Sequence, residues 1–403
     1  MPPASTKFRI RVRMRARPVD EPHRVASPLE LLFDLTFVVA VAAATAQLAH
    51  TIADGHALTG LVPFLQVFFA IWWAWMNFTW FASSYDTDDV AYRLLTMVQM
   101  AGVLVLAAGV PAAADHSAYG VVTLGYLIMR AGLVVQWLRV GLEDPVSRRT
   151  ALRYAAGISL VQMGWILRFL LVETGVLPPS SALPFFGCLV ALELAVPWWA
   201  ERARATNWHP HHITERYGLF TIILLGESVL AASRGVEGAL ESGEIGGSFL
   251  VIAGSGLVLL FALWWLYFLV QDAEGLSDRR NWSYLWGYGH YGIFAALAAL
   301  GAGLEVAVEQ SGHKVEASPL TLGYAVAIPV GSYLALLWAV HAPVVTERLL
   351  RPAAVLGCAA VILSLPLATP WIGVAPVVAA IAAICVLLVA GTIATHADRG
   401  RAG

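Results

Sequence analysis

The sequence is poor in charge and in cysteine. Charged residues make up 13% of the 403 residues and hydrophobic residues 59%, against about 25% and roughly 45–50% in soluble domains. A soluble protein of this length could not bury so much apolar surface, so we expect a membrane protein. The net charge of −2 provides no field that would attract nucleic acid, and no nucleic-acid partner is predicted. Cys188, Cys358 and Cys385 lie singly inside apolar runs, which predicts neither disulfides nor a cysteine metal site.

Catalytic and cofactor motifs are missing as well. The patterns GxSxG, HExxH and the P-loop are absent, so no cofactor is predicted and transport is preferred to catalysis. The segment NWHPHHITER contains His209, His211 and His212 close to Glu215. Two or three of these histidines with Glu215 could bind a metal, although a polar loop at the membrane interface is the simpler interpretation. The metal content is left open.

A short acidic segment, YDTDDVAYRL, contains Asp86, Asp88 and Asp89. The EF-hand pattern DxDxDG with its distant Glu is absent. One interpretation is a cytoplasmic acidic site completed by Arg93. The other is structural: Asp88 or Asp89 caps the helix that follows, and Arg93 pairs with the acid one turn later.

Long apolar runs are abundant. A helix needs about 20 apolar residues to cross the hydrocarbon core of a bilayer, and twelve such runs occur. They predict an all-α integral membrane protein whose helices cross the bilayer at 28–50, 58–82, 91–113, 117–141, 151–173, 182–200, 213–234, 247–271, 284–308, 319–343, 350–368 and 374–395.

The basic residues indicate the orientation. Of the 25 lysines and arginines, only Arg234 and Lys314 fall in connections that follow odd-numbered runs, and Arg130 and Arg168 lie within runs. The others fall in the termini and the opposite connections, so both termini are expected to be cytoplasmic. The basic segment 1–27 is expected to be a retained cytoplasmic tail that serves as a topology signal or contacts anionic lipids. Most tryptophans, Trp72 and Trp73 among them, are expected to form an aromatic belt.

The chain contains a candidate internal repeat. FAIWW (Phe69 to Trp73) matches FALWW (Phe261 to Trp265), and residues 30–46 can be aligned with 215–231. Six spans per half would give a parallel 6+6 pseudo-repeat, an architecture known among secondary transporters; a chance match between apolar segments is the alternative. The predicted division is a tail at 1–27, a six-helix repeat at 28–200, a linker at 201–212, a second repeat at 213–395 and a short tail at 396–403.

Two acidic residues open the first run. A charge at the centre of the bilayer costs at least about 2.5–3.5 kcal/mol, so it needs a partner or a polar cavity. Glu30 and Asp34 lie four residues apart, on one helix face. Glu30 also suits the positive end of the helix dipole, whereas Asp34 lies over a turn deeper and is explained less well in that way. Both are candidate ion-binding residues, together with Glu215, which aligns with Glu30 in the repeat.

Glu227, in LLGESVLAAS, is the strongest candidate. It lies near the middle of the seventh run, where Gly226 permits a close helix approach and Ser228 adds a hydroxyl. The alternative is a structural interhelical hydrogen bond made by a protonated carboxyl.

The remaining candidates are Arg130, Glu193 and His290. Arg130, in the fourth run, must face protein, and Asp34, Glu193 or Glu227 could neutralise it in a buried ion pair or a site for an anion. Glu193 precedes Pro197, so a packing or kink role is the alternative. His290 could relay protons or simply bond to a carbonyl.

The sequence resembles the bacterial low temperature requirement A family. The resemblance rests on SPLELLFDLTFVVAVAAATAQLA, YDTDDVAYRL and HITERYGLFTIILLGESVLA, and runs from about Arg24 to the end of the twelfth run. It implies a multi-pass protein of the bacterial plasma membrane with a link to growth in the cold, but no reaction or substrate. The matching positions are Glu30, Phe33, Asp34, Asp86, Asp88, Asp89, Arg93, Glu215, Arg216, Gly218, Gly226, Glu227, Ser228 and His290.

We therefore expect a secondary transporter or ion-coupled permease that contacts the lipid bilayer and moves a small solute or ion. In that hypothesis Asp34 and Glu227 exchange a proton or cation, and Arg130 holds them poised or binds an anionic group. Two alternatives stay open: a lipid-modifying enzyme with acidic and His groups at the membrane interface, and a sensor or assembly protein that transports nothing.

Overall fold

The computed structural model describes residues 10–19, 21, 24–116, 118–242, 246–271, 273–310, 315–346 and 349–402. Within these ranges the chain folds into helices and contains no strand. The basic residues Lys7, Arg9, Lys314 and Arg348 of the topology argument lie outside the described residues.

The twelve predicted spans are confirmed: among the described residues, twelve helices are long and apolar enough to cross a membrane. The spans begin and end within a few residues of their predicted limits, although the helices that contain the seventh and the twelfth span continue to Ser242 and Ala402. The helices are α1 (Pro28–Ala53), α2 (Ala57–Tyr85), α3 (Val90–His116), α4 (Gly120–Glu143), α5 (Arg148–Glu173), α6 (Pro179–Glu201), α7 (Pro210–Ser242), α8 (Gly247–Leu269), α9 (Ala273–Asp278), α10 (Ser283–Glu309), α11 (Pro319–His341), α12 (Pro352–Ser364), α13 (Thr369–Ile372) and α14 (Val374–Ala402).

Proline and glycine set several helix ends. Pro319 opens α11, where its missing N–H would have no intrahelical partner in any case, and the Ser318 hydroxyl caps the helix by accepting from Thr321 N. The eleventh span is interrupted: α12 passes through a 3₁₀ turn at Leu365–Ala368 into α13, because Pro366 cannot donate to the α-helical ladder. Gly373, at φ 82°, then provides the left-handed turn into α14.

The chain divides into two compact units. Unit 1 comprises Met1–Ala40 and Ala70–Ile213, and unit 2 comprises Val41–Phe69 and Thr214–Gly403. The first two helices therefore each contribute to both units, α3–α6 belong to unit 1, and α8–α14 belong to unit 2. The 6+6 pseudo-repeat stays a prediction.

In unit 1, α3 and α4 pack backbone against backbone. A Cβ added at Gly125 would lie 2.3 Å from Leu106 N and 2.6 Å from Gly102 O, so only glycine fits here. Small residues at helix interfaces permit such close approach in membrane bundles. This contact fixes α4 one turn before Arg130.

In unit 2, α10 is held closely on two sides. A Cβ at Gly303 would lie 2.2 Å from Ala325 O of α11, and a Cβ at Gly301 would lie 3.0 Å from Ser228 Oγ of α7. The second contact places Ser228, and with it the neighbouring Glu227, beside the second half of α10.

Candidate functional site

Arg130 and Glu193 form a buried ion pair in unit 1. Arg130 Nη2 lies 2.7 Å from Glu193 Oε2, and the side chains are 1% and 0% exposed. Of the three partners left open by the sequence, the structure therefore pairs Arg130 with Glu193.

The Glu193 carboxylate is also the acceptor for four uncharged donors from α2, α4 and α5. Oε1 accepts from Tyr126 at 2.7 Å, Gln162 at 3.0 Å and Trp165 at 3.3 Å. Oε2 accepts from Trp73 Nε1 at 2.9 Å. We call Glu193, these four donors and Arg130 the Glu193 cluster. Five donors from three neighbouring helices hold the two carboxylate oxygens in place, so the cluster is suited to joining helices.

Arg130 is less completely bonded than Glu193. Its Nε and Nη1 are buried and, among the described residues, have no hydrogen-bond partner. The guanidinium lies 5.5 Å from the centre of the Tyr126 ring, at cation–π distance. The ring therefore compensates part of the charge that hydrogen bonds leave uncovered.

Asp34 is held by a tryptophan. The carboxylate is 1% exposed and accepts from Trp75 Nε1 at 2.7 Å. The aromatic-belt prediction is wrong for Trp72, Trp73 and Trp75 of α2, because all three are fully buried, and Trp73 and Trp75 donate to acids. The sequence feature that could have indicated this role is the group of closely spaced tryptophans in one span, since other spans contain carboxylates that need hydrogen-bond donors.

Glu30 lies at the centre of a second group in unit 1, the Glu30 cluster of Arg24, Glu30, Asp86 and His212. Glu30 Oε1 lies 3.2 Å from Arg24 Nη2 and 3.0 Å from His212 Nε2, and its Oε2 accepts from Ser27 N at 2.6 Å. Arg24 also lies 3.6 Å from Asp86 Oδ2. The cluster gathers two acids, an arginine and a histidine at the N-terminal end of α1.

Asp86 lies outside the spans, and its pKa is raised to about 6. Burial is the largest cause and the neighbouring charge of Glu30 adds to it, while Arg24 and Arg17 partly oppose both effects. Asp86 therefore changes protonation near neutral pH, unlike an ordinary aspartate.

The other acids of this loop have structural partners. Asp89 caps α3 by accepting from Tyr92 N at 2.9 Å, and Arg139 lies 2.8 Å from its Oδ1. Burial alone would raise the pKa of Asp89, but these hydrogen bonds and one from Val12 N lower it to about 2. Asp88 pairs with Arg93 at 2.8 Å near the surface. The capping interpretation is confirmed.

The histidine segment does not act as one group. His212 joins the Glu30 cluster, His209 N donates to Ser83 Oγ, and His211 is exposed. Glu215 lies half-buried on α7 in unit 2. Among the residues that the structure describes, no group of three or more His, Cys, Asp or Glu side chains is placed to hold a metal ion.

The basic N-terminal segment is partly engaged by the protein itself. Arg11 pairs with Glu143 at 3.2 Å, Arg13 Nε donates to the Glu143 carbonyl, and Arg17 pairs with Glu21. Met14, between them, is fully buried. These contacts anchor residues 11–17 along unit 1.

Glu227 belongs to unit 2, and its carboxylate is incompletely bonded. The side chain is 1% exposed, and Oε1 lies 3.4 Å from Arg234 Nη2. Oε2 is buried and has no hydrogen-bond partner among the described residues. Arg234 bonds more closely to Glu305, at 3.0 Å and 3.3 Å. We call Glu227, Arg234 and Glu305 the Glu227 group; the sequence did not reveal Glu305, which lies near the end of its span.

Ser228 and His290 have structural contacts within unit 2. Ser228 Oγ lies 3.0 Å from Leu224 O and 3.3 Å from Leu297 O, and it can donate to either. His290 Nδ1 lies 2.7 Å from Trp286 O. Since a carbonyl only accepts, Nδ1 carries the hydrogen and Nε2 accepts from Tyr267 OH at 3.1 Å. His290 is therefore bonded at both nitrogens.

Similarity to known proteins extends over most of the chain. It is 27% identical over 289 residues to the uncharacterized protein RA0937 of Rhizobium meliloti (strain 1021), an alignment that covers 68% of this chain and 67% of that protein. No solved structure matches the chain. The model of the bacterial low temperature requirement A protein family matches residues 25–391. The resemblance seen in the motifs is thus confirmed, and the chain belongs to this family of polytopic membrane proteins.

Proposed function

We propose that the protein is a secondary transporter or ion-coupled permease of the bacterial plasma membrane, in which Glu227 takes up and releases a proton or small cation. One observation carries the proposal: Glu227 is buried, yet one of its carboxylate oxygens lacks a hydrogen-bond partner among the described residues. A buried ionised carboxylate normally has its oxygens bonded. The unbonded oxygen is an acceptor that a proton or cation would satisfy.

The charges of the Glu227 group support exchange. Two carboxylates and one guanidinium carry a net charge of −1 when all are ionised, and one proton or monovalent cation neutralises the group. Arg234 lies nearer to Glu305 than to Glu227, so Glu227 is the acid that its arginine neutralises less. A buried charge that is incompletely paired is costly, which favours uptake of a counter-charge at this residue.

The three side chains of the Glu227 group differ in exposure, which gives an ion a route from the surface to Glu227. The side chain of Arg234 is 36% exposed, that of Glu305 18% and that of Glu227 1%. Arg234 lies seven residues after Glu227 on α7, about 10 Å along the helix axis. An ion reaching Arg234 from the end of α7 could pass to Glu227 within two turns. The distribution of basic residues predicts that this end faces the outside of the cell.

Asp34 remains the second exchanging carboxylate of the proposal, in unit 1, where Trp75 holds it. We assign Arg130 a structural role, because its partner Glu193 is held in place by five hydrogen-bond donors. Contact of the N-terminal segment with anionic lipids stays a prediction for the arginines that the protein's own acids leave accessible.

The test is ion flux into proteoliposomes, with internal pH and membrane potential recorded for wild type, Asp34→Asn and Glu227→Gln. Glu237→Gln is the matched control, because it makes the same change at an exposed position on α7. We expect loss of flux in Asp34→Asn and Glu227→Gln and retention in Glu237→Gln.

Normal flux in both Asp34→Asn and Glu227→Gln would overturn the mechanism. Absence of flux in folded wild type, across pH and common cations, would favour the lipid-modifying enzyme or the sensor. Lipid turnover by the reconstituted protein would then separate those two.

A further inference from the structure

Unit 2 contains a large apolar cavity that the transport proposal does not use. Its volume is about 480 Å³, within the usual range of about 300–1,000 Å³ for ligand sites. The wall is formed by the last turns of α1, the first turns of α2, the middle of α10 and the first half of α11. An engineered apolar cavity of about 150 Å³ already admits benzene, so this one could hold a much larger hydrocarbon.

The cavity is elongated along the helices. On α11 its lining extends from Leu320 to Ser332, twelve residues or about 18 Å of helix. That is more than half of the roughly 30 Å hydrocarbon core. The cavity therefore matches the direction and length of a lipid tail rather than a compact solute.

Its wall offers few polar groups, and the best placed are already engaged. The hydroxyl of Tyr291 donates to Leu65 O at 2.8 Å, and that of Thr321 lies 2.9 Å from Ser318 Oγ. Tyr324 and Ser332 supply the other hydroxyls, and the remaining lining is aliphatic apart from Phe64. A polar solute would lose hydration here without replacement hydrogen bonds.

The mouth of the cavity is continuous with the surface expected to contact lipid. Leu58 and Ile328, which line it, are exposed large apolar side chains on spanning helices. An empty space of this size would forfeit dispersion contacts. The fluid at this depth is hydrocarbon, which can fill the space without any loss of hydration.

We infer that this cavity is a binding site for one acyl chain of a bilayer phospholipid, which enters through the opening beside Leu58 and Ile328. The inference is independent of ion transport. It makes the α1, α2, α10 and α11 segments of unit 2 a lipid-binding element whose occupancy follows the chain composition of the membrane.

The test uses the full-length protein in phosphatidylcholine vesicles that contain a phospholipid with a diazirine on one acyl chain. After illumination, mass spectrometry maps the adducts. We expect adducts concentrated on the cavity residues of α10 and α11. Ala299→Phe and Ala325→Phe fill the cavity and should reduce those adducts several-fold. Ala383→Phe, at an exposed position of α14 outside the cavity, should leave them unchanged.

Two results would overturn the inference. One is adducts spread evenly over all exposed apolar surfaces of the wild type, a result that needs no variant to fold. The other is rapid reaction of Ala325→Cys with a charged, membrane-impermeant thiol reagent, which would show that the cavity is filled with water.

Discussion

Two arginine–glutamate pairs, Arg130–Glu193 in unit 1 and Arg234–Glu227 in unit 2, differ in how completely their carboxylates are bonded. Glu193 accepts from Arg130 at 2.7 Å and from four further donors. Glu227 has one contact of 3.4 Å to an arginine that bonds better to another acid. Arg130 is buried, whereas Arg234 is partly exposed.

The difference shows that an intramembrane charge is not by itself a sign of function. A carboxylate with every lone pair engaged can release its partner only at great cost, so it serves to join helices. A carboxylate with an unbonded oxygen, beside an arginine that can reach water, can change its partner at small cost. This contrast supports the proposal that the first pair joins helices and that the second exchanges an ion.

The largest expected effect is that of Glu193→Gln on stability. Removing the charge leaves the guanidinium of Arg130 buried without its counter-charge, which should lower the free energy of unfolding by about 3–5 kcal/mol. Thermal or denaturant unfolding in detergent measures it. Glu173→Gln, at an exposed position of α5, should change stability by less than about 0.5 kcal/mol. A small effect of Glu193→Gln would remove the basis for calling this pair structural.

The next largest effect is the pH dependence of stability, which should differ between Asp86 and Asp89 of the same loop. The folded-state pKa of Asp86 is about 6, above its usual value of 3.8, so the folded state binds its proton more tightly than the unfolded state. The resulting stability is present below about pH 4 and is lost as the pH rises through 6, by about 2 kcal/mol. Unfolding between pH 4 and 7 should show this slope in wild type and a shallower slope in Asp86→Asn.

Asp89→Asn is the comparison for that experiment and has the opposite sign. Because the pKa of Asp89 is lowered to about 2, its contribution is present above about pH 4 and lost toward pH 2. Asp89→Asn should therefore destabilise the protein at pH 7 by about 1–2 kcal/mol. Equal pH profiles for the two variants would contradict the assigned environments.

A smaller effect on stability is expected for Glu227→Gln, despite the loss of transport. Its bond to Arg234 is long and partly exposed, and pairs of that kind contribute about 0–1 kcal/mol. The free energy of unfolding should fall by less than about 1 kcal/mol, measured beside Glu193→Gln in the same detergent. A loss as large as that of Glu193→Gln would make Glu227 a structural residue.

The smallest effect concerns the exposed pair of Asp88 and Arg93, whose side chains are 48% and 41% exposed. Asp88→Asn removes the charge but tolerates the left-handed backbone at φ 48°. We expect a change in the free energy of unfolding below about 0.5 kcal/mol, which decreases further as added salt screens the pair. A change above 1 kcal/mol, or a loss of flux, would return this acid to the functional candidates.

The spans could be predicted from the sequence because crossing a bilayer depends on local length and hydropathy. The N-cap of α3 could also be predicted, since a cap and its N–H lie within one turn. The interruption of the eleventh span is not predicted by hydropathy, because this run is apolar throughout. Pro366 and Pro370 are the residues in the sequence that mark the interruption.

The partners of the buried charges could not be predicted, because apolar helices carry little information on which faces meet. Trp73 and Trp265 occupy matching places in FAIWW and FALWW, yet the first is fully buried and bonded to Glu193 while the second is 47% exposed. The difference arises from neighbouring helices, not from the local sequence. For the same reason, Glu305 could not be joined to Glu227 in advance.

The most direct test of the contrast is labelling by a hydrophobic carbodiimide, which reacts with protonated carboxyl groups in apolar surroundings. Mass spectrometry of wild type in lipid vesicles would measure modification at Glu227 and Glu193 in the same sample, at several pH values. The account predicts labelling of Glu227 that declines as the pH rises, and no labelling of Glu193. Equal labelling of both, or labelling of Glu193 alone, would contradict it.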